Sequence, residues 1–269
     1  MKHTVLGCLP YLNVKPLIHS LEQSTPEGYE LIYNTPSVLA GRLRDKSCDC
    51  AAVSSFEALS NPNLDIVPGI SISSDGKVAS VLLFSKTPFH QIRSVALDTS
   101  SLTGAGLTRI LLAELFGVRP EFVRRDPHPV IMLQDCNACM VIGNNAMTEA
   151  PNVPFVMDLG EGWKKLTGLP FVFAVWAARR GAIDSRDIQI LHQAKIDGMQ
   201  VVETIAEEQA RILGLPLPLV RNYLAEIMVY DLGQRELAGL TEFCRRAKQH
   251  DLIPQDSGLR LYQEQAARL

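Results

Sequence analysis

The sequence predicts an α/β protein of two lobes, each a mostly parallel sheet flanked by helices. Short apolar, β-rich runs alternate with stretches of helical period through the first two-thirds of the chain. Two long apolar runs, 78–85 and 170–177, bracket the middle of the sequence. The chain is therefore expected to cross into a second lobe near residue 86 and to return near 170. Lobe one is then discontinuous, 1–86 with 170–269, and lobe two, 87–169, is inserted. Several runs also stop at hydroxyl or carboxamide residues, as strands do where an open sheet meets a ligand cleft.

Taken in order, 5–9 reads as a strand, followed by Tyr11-Leu12-Asn13 and a helix with Pro16 in its first turn and Leu17, Ile18 and Leu21 on its apolar face. Residues 29–33 form a second strand, and Pro36-Ser37 opens a helix carrying Val38, Leu39 and Leu43. A third strand, 50–53, ends in Ser54-Ser55, which completes a βαβαβ order and implies a parallel sheet. Residues 64–68 follow, then a Gly/Ser/Asp turn at 69–76 and the long strand 78–85, interrupted by Lys86-Thr87-Pro88.

A second series begins at 94–106. Val95 to Leu97 are strand-like, Asp98-Thr99-Ser100-Ser101 is a polar turn, and Leu107, Ile110, Leu111 and Leu115 mark a helix face. Ser100 or Ser101 can serve as its N-cap, and Gly104 and Gly106 remove bulk from the first turn, so free N–H groups face any bound anion. A capped helix with two tolerated glycines is the plainer account of the same residues. The series continues through 121–124, 130–133 and the strand 139–142, which ends in Gly143-Asn144-Asn145. Beyond 179–181 the chain is helical, with amphipathic faces at Ile188 and Leu191, at Val202 and Ile205, and at Leu237 and Leu240.

Composition narrows the function. The 269 residues are 46% hydrophobic with a formal net charge of -3 and no Lys/Arg block, which argues against a surface for nucleic acid, whose phosphates must be neutralised. Met1-Lys2-His3 leads into an apolar run too short for a signal peptide, and no run approaches a membrane span. A cytoplasmic protein with no membrane partner is expected. Cys48-x-Cys50 and Cys136-x-x-Cys139 have spacings that a zinc site could use, but their apolar neighbours make buried free thiols the simpler account, and no metal is expected.

The strand-end groups expected to share a cleft are Asn13, Ser54, Ser55, Ser100, Ser101, Thr103, Asn144 and Asn145. They are polar and uncharged: good at fixing carboxylates and hydroxyls, poor as general acids and bases. No Gly-x-Ser-x-Gly, P-loop or Gly-x-Gly-x-x-Gly motif is present. Binding comes first, and any catalysis should act on a substrate with its own driving force.

Tyr11-Leu12-Asn13, Pro36-Ser37-Val38-Leu39, Asp49 before Ala51-Ala52-Val53-Ser54-Ser55, Leu97-Asp98-Thr99-Ser100-Ser101-x-Thr103 and Ile142-Gly143 resemble the menaquinone-biosynthesis proteins of the futalosine pathway. So do Asp158-Leu159-Gly160-Glu161-x-Trp163-Lys164-Lys165-Leu166-Thr167-Gly168-Leu169-Pro170-Phe171 and Tyr230-Asp231-Leu232. The likeness covers nearly the whole chain. It implies a fold like the type II periplasmic binding proteins, and as activity the dehydration of chorismate to 3-[(1-carboxyvinyl)oxy]benzoate, without cofactor or metal. The substrate is then a small dicarboxylate, and a homodimer is compatible with the family.

The resemblance places Asn13 at the reacting ring carbon or its leaving group, with the substrate's enolpyruvyl carboxylate assisting as base. Ser100, Ser101 and Thr103 would grip a carboxylate, with Ser54, Ser55 and Ser80 facing from lobe one and Asn144 and Asn145 nearby. The sister reaction of the pathway, which releases 1,4-dihydroxy-6-naphthoate, would be expected to carry a histidine base; a non-catalytic carboxylate-binding protein is the alternative of another class. The chain departs from the family pattern at Leu102, where an arginine is usual, at Gly104, where a serine is, and at Asn144, where an aspartate is common. Arg42 or Arg44 is the substitute anchor the sequence offers.

Overall fold

The computed structural model describes residues 3–263; Met1 and Lys2, on which the N-terminal reading partly rests, lie outside them. The strands are β1 (Thr4–Cys8), β2 (Tyr29–Tyr33), β3 (Cys50–Ser54), β4 (Leu64–Ser74), β5 (Val81–Ser85), β6 (Ser94–Asp98), β7 (Glu121–Arg125), β8 (Ala138–Ile142), β9 (Phe155–Asp158) and β10 (Phe171–Arg179). The helices are α1 (Lys15–Gln23), α2 (Pro36–Arg44), α3 (Ser55–Ser60), α4 (Leu102–Phe116), α5 (Pro129–Asp135), α6 (Gly143–Thr148), α7 (Leu159–Thr167), α8 (Ser185–Gln200), α9 (Val202–Leu213), α10 (Leu217–Asn222) and α11 (Gln234–Gln249).

Two five-stranded sheets result, ordered β2-β1-β3-β10-β4 and β7-β6-β8-β5-β9. In the first, β1 runs parallel to β2 and β3, and β10 runs against β3 and β4. In the second, β6 runs parallel to β7 and β8, and β5 runs against β8 and β9. Each sheet is therefore mixed, with one counter-running strand, and the two repeat a single topology although the sequence shows no internal repeat. The counter-running strands are those by which the chain enters the second sheet and returns to the first.

Two strand expectations are corrected. The run 78–85 is not one strand closing lobe one before a crossover at 86. Only Val81–Ser85 is extended, and it pairs in the second sheet with β8 and β9. The break falls at Ala79, whose φ of +62° turns the chain out of any strand. Its N–H and that of Val78 are taken up by the Asp158 carboxylate, at 2.7 and 3.1 Å.

The expected turn at 69–76 is largely strand, because β4 runs on to Ser74. Here Ile70 and Ile72 alternate with Ser71 and Ser73, a period of two hidden by the turn-like composition. Both serines are buried and satisfied: Ser71 Oγ donates to the Asp231 carbonyl at 2.7 Å and Ser73 Oγ to that of Val229 at 2.9 Å. Register shifts against β10 absorb the irregularity.

Helix ends follow local chemistry. Ser101 caps α4 by accepting the Gly104 N–H at 2.9 Å, and Gly117, at φ +70°, closes its other end. Asp184 and Asp187 form a reciprocal capping box at the start of α8. Residues 130–133, unassigned by period alone, belong to α5, with Pro129 in its first turn.

One apolar core runs through both sheets. Helix α4 is its axis: Thr103 to Thr108 and Ile110 to Leu112 are buried, so it has two packed faces rather than one. It lies against α7 and also against α3 and α11. Alongside, Phe171 on β10 sits 5.0 Å from Phe243 on α11 and 5.2 Å from Trp163 on α7, edge to face in both cases. Each such pair contributes about 0.5–1.5 kcal/mol beyond its buried area. The six cysteines are free and buried, and among the described residues no three His, Cys, Asp or Glu side chains come together to hold a metal ion. No described helix is long and apolar enough to cross a membrane.

Candidate active site

A narrow cleft lies between the sheets at the carboxyl ends of β1, β3, β6 and β8, with a cavity volume of about 60 Å³. Asn13, Ser54, Ser80, Ser100, Ser101 and Thr103 line it, together with Tyr11, Gly104, Gly143 and an apolar wall that includes Ile72, Val78 and Phe173.

Each polar group is placed by its own strand end. Ser54 ends β3 and caps α3, its Oγ accepting the Glu57 N–H at 3.2 Å. Ser101 does the same for α4. A capping hydroxyl spends an acceptor and keeps its O–H, so both serines can still donate to a ligand. Ser100 is held by Asp98, whose Oδ1 accepts its N–H at 2.8 Å and its hydroxyl at 2.5 Å. The other Asp98 oxygen accepts the Ile142 N–H at 3.2 Å, which locks the ends of β6 and β8 together. Thr103 Oγ1 accepts the Phe56 N–H at 3.1 Å, across from α3.

Three residues expected in the cleft lie elsewhere. Ser55 turns away and donates to the Val172 carbonyl at 2.7 Å. Asn145 donates its amide to the Pro127 carbonyl at 3.0 Å, and Asn144 does not line the cleft, although its Oδ1 is buried without a partner. Arg42 and Arg44 do not line the cleft either; Arg44 pairs with Glu57 at 2.9 Å.

Two tyrosines were missed. Tyr11, two residues before Asn13, lines the cleft together with Ser100. Burial raises its pKa, the Ser100 hydroxyl works against this, and the Asp98 charge adds to it. Its place beside Asn13 was the available signal. Tyr223 stands behind the cleft and donates to Ser80 Oγ at 2.8 Å from 143 residues away. Burial pushes its phenol up to about 12 against hydrogen bonds with Ser80 and Asn13, with Asp158 adding a smaller push upward. Nothing in its own segment marked it.

Tyr11 is the one titratable group among the described residues lining the cleft. Donors here are hydroxyls, a carboxamide and the backbone N–H groups of the first turn of α4, where the helix dipole favours an anion. Gly104 sits in that turn, where a Cβ would come within 2.8 Å of Ser101 Oγ and 3.0 Å of Met140 Sδ. Gly143, at φ +65°, turns the chain from β8 into α6 at the cleft wall.

Two α/β lobes with a cleft between them make a periplasmic-binding-protein-like fold. The aliphatic sulphonate binding protein SsuA of Escherichia coli superposes with a TM-score of 0.68 at 16% identity, over 96% of this chain and 95% of that one. The family model described as menaquinone biosynthesis matches residues 4–249, and the chain belongs to that family. It is 32% identical to the chorismate dehydratase of Thermus thermophilus over 262 residues, covering 90% of this chain and 94% of that protein. It is 26% identical to the chorismate dehydratase of Campylobacter jejuni over 254 residues, covering 91% and 97%.

Proposed function

We propose that this protein is a chorismate dehydratase, a cytoplasmic lyase that removes water from chorismate to give 3-[(1-carboxyvinyl)oxy]benzoate. The observation that carries the reading is the cleft itself, whose lining among the described residues offers hydroxyls and a carboxamide but no carboxylate, imidazole or amine. Dehydration of chorismate suits such a site because the ring becomes aromatic, so the barrier falls mainly through orientation and through stabilising the leaving oxygen. Full-length likeness to the two dehydratases supports the same reaction.

In this mechanism the hydrogen on the ring carbon bearing the enolpyruvyl ether is taken by the substrate's own enolpyruvyl carboxylate. The electron pair of that C–H bond becomes the new ring double bond as the neighbouring C–O bond breaks. The departing hydroxide takes up the proton and leaves as water. Asn13 is assigned to the reacting carbon and its leaving group, and Ser100, Ser101 and Thr103 to one carboxylate at the start of α4. Ser54 and Ser80 address the substrate from the other side. The sister reaction was expected to need a histidine base, and no histidine is among the described residues lining the cleft.

Incubating the purified protein with chorismate and following the ultraviolet spectrum and product mass tests this. Appearance of the aromatic ether, lost in Asn13→Ala, is the expected result. Binding of chorismate without conversion would make the chain a carboxylate-binding protein and overturn the proposal.

A further inference from the structure

The crossover between the sheets holds Ser80 with more care than a cleft-lining serine needs. Val78 and Ala79 donate to Asp158, Ala79 is kept in left-handed backbone, and the Ser80 carbonyl accepts the Gly143 N–H at 2.8 Å. Backbone on both sides of Ser80 is thereby fixed, and only the direction of its hydroxyl is left to be set.

Tyr223 sets it. The side chain is 2% exposed, and its phenol donates to Ser80 Oγ at 2.8 Å. That bond takes an acceptor position of Ser80 Oγ and leaves its O–H as a donor toward the cleft. Asn13 lines the same cleft, and its Oδ1 is enclosed with no partner. Tyr223 also begins the π-helical segment Tyr223–Ile227, a widened turn of the kind often found at functional sites.

We propose that Tyr223 is a positioning residue of the active site, holding Ser80 Oγ so that its hydroxyl is the donor turned toward the substrate. This rests on the dehydratase reading and deepens it: a donor of fixed direction is what a departing hydroxyl needs. Tyr223 acts through Ser80 and does not line the cleft itself. Its loss should therefore appear in turnover more than in binding.

Tyr223→Phe keeps the ring and removes the bond. The expected result is a fall in kcat of about 10- to 100-fold with KM changed by less than about 3-fold. The double variant with Ser80→Ala should be no slower than Ser80→Ala alone, because both remove the same hydrogen bond. Should Tyr223→Phe fail to fold, Ser80→Ala, which removes the hydroxyl that Tyr223 holds, gives a second reading: kcat should fall by at least as much. A wild-type protein that converts chorismate while Tyr223→Phe or Ser80→Ala keeps full kcat, or losses that multiply in the double variant, overturns the role and leaves the reaction standing. A wild-type protein that does not convert chorismate overturns both.

Discussion

The N–H of Phe56 donates to Thr103 Oγ1 at 3.1 Å, joining the first turn of α3, on one sheet, to the first turn of α4, on the other. Close by, Gly106 lets the Phe56 ring approach α4, since a Cβ there would come within 3.2 Å of it. The two helix starts are thus drawn together at one end of the cleft. The donors of the α4 turn are held where a carboxylate can meet them.

Thr103→Val keeps the shape and removes the acceptor. Leaving the Phe56 N–H unpaired should cost about 1–3 kcal/mol, read as a lowered urea midpoint, and should raise KM for chorismate. Thr103→Ser restores the hydroxyl and should recover most of both. Equal behaviour of the valine and serine variants would remove the bond from the account.

Gly104→Ser introduces the residue usual in the family pattern into a turn built without it. Its Cβ would press on Ser101 Oγ and on Met140, so the cap bond must stretch or Met140 must move. Overpacking of this kind costs about 1–3 kcal/mol. Calorimetry should show a lower Tm and binding titration a weaker affinity for chorismate; an unchanged Tm would mean that Met140 yields freely.

Gly198→Ala separates stability from the site. A Cβ on Gly198 would overlap the Pro16 carbonyl oxygen, where α8 crosses α1. The obstruction is backbone, and no side chain can rotate out of the way. A loss of about 3 kcal/mol or more is expected in chemical denaturation, with kcat of the folded fraction within about 2-fold of wild type, because the crossing lies outside the cleft. A kcat that falls in step with stability would contradict that separation.

His192 should give the fold a pH dependence. Its ring lies over Gly69, where burial and the Lys195 charge lower its pKa, against a hydrogen bond with the Pro68 backbone and the Asp231 carboxylate, which raise it. The unfolded chain, with an ordinary histidine pKa near 6.5, takes up the proton first as pH falls. Stability is then lost from about pH 6.5 downward and levels off below the folded pKa. Between pH 7.5 and 5 the wild type should lose more Tm than His192→Gln; parallel Tm curves would exclude the effect.

Much of the cleft was legible because strand ends announce themselves. Ser54, Ser100, Ser101 and Thr103 follow apolar runs directly and cap or flank the next helix, and these local patterns put them at the cleft. Which member of a pair faces inward was not legible, since Ser54 and Ser55 have the same chemistry and differ only in direction. The serines of β4 read as a turn because their acceptors, the carbonyls of Val229 and Asp231, lie far along the chain.

By itself the sequence determined the alternation of strands and helices, the hydroxyl-rich strand ends and the family. All of these depend on residues close together along the chain or on a pattern spread over its whole length. Tertiary structure alone decided that Val81–Ser85 joins the second sheet, that Asn144 and Asn145 stay out of the cleft, and that Tyr223 stands behind Ser80. Hydrophobic period reports which face a residue buries, but not the partner it buries against. Strand pairing and buried hydrogen bonds are set by that partner, and for Ser80 it lies 143 residues away.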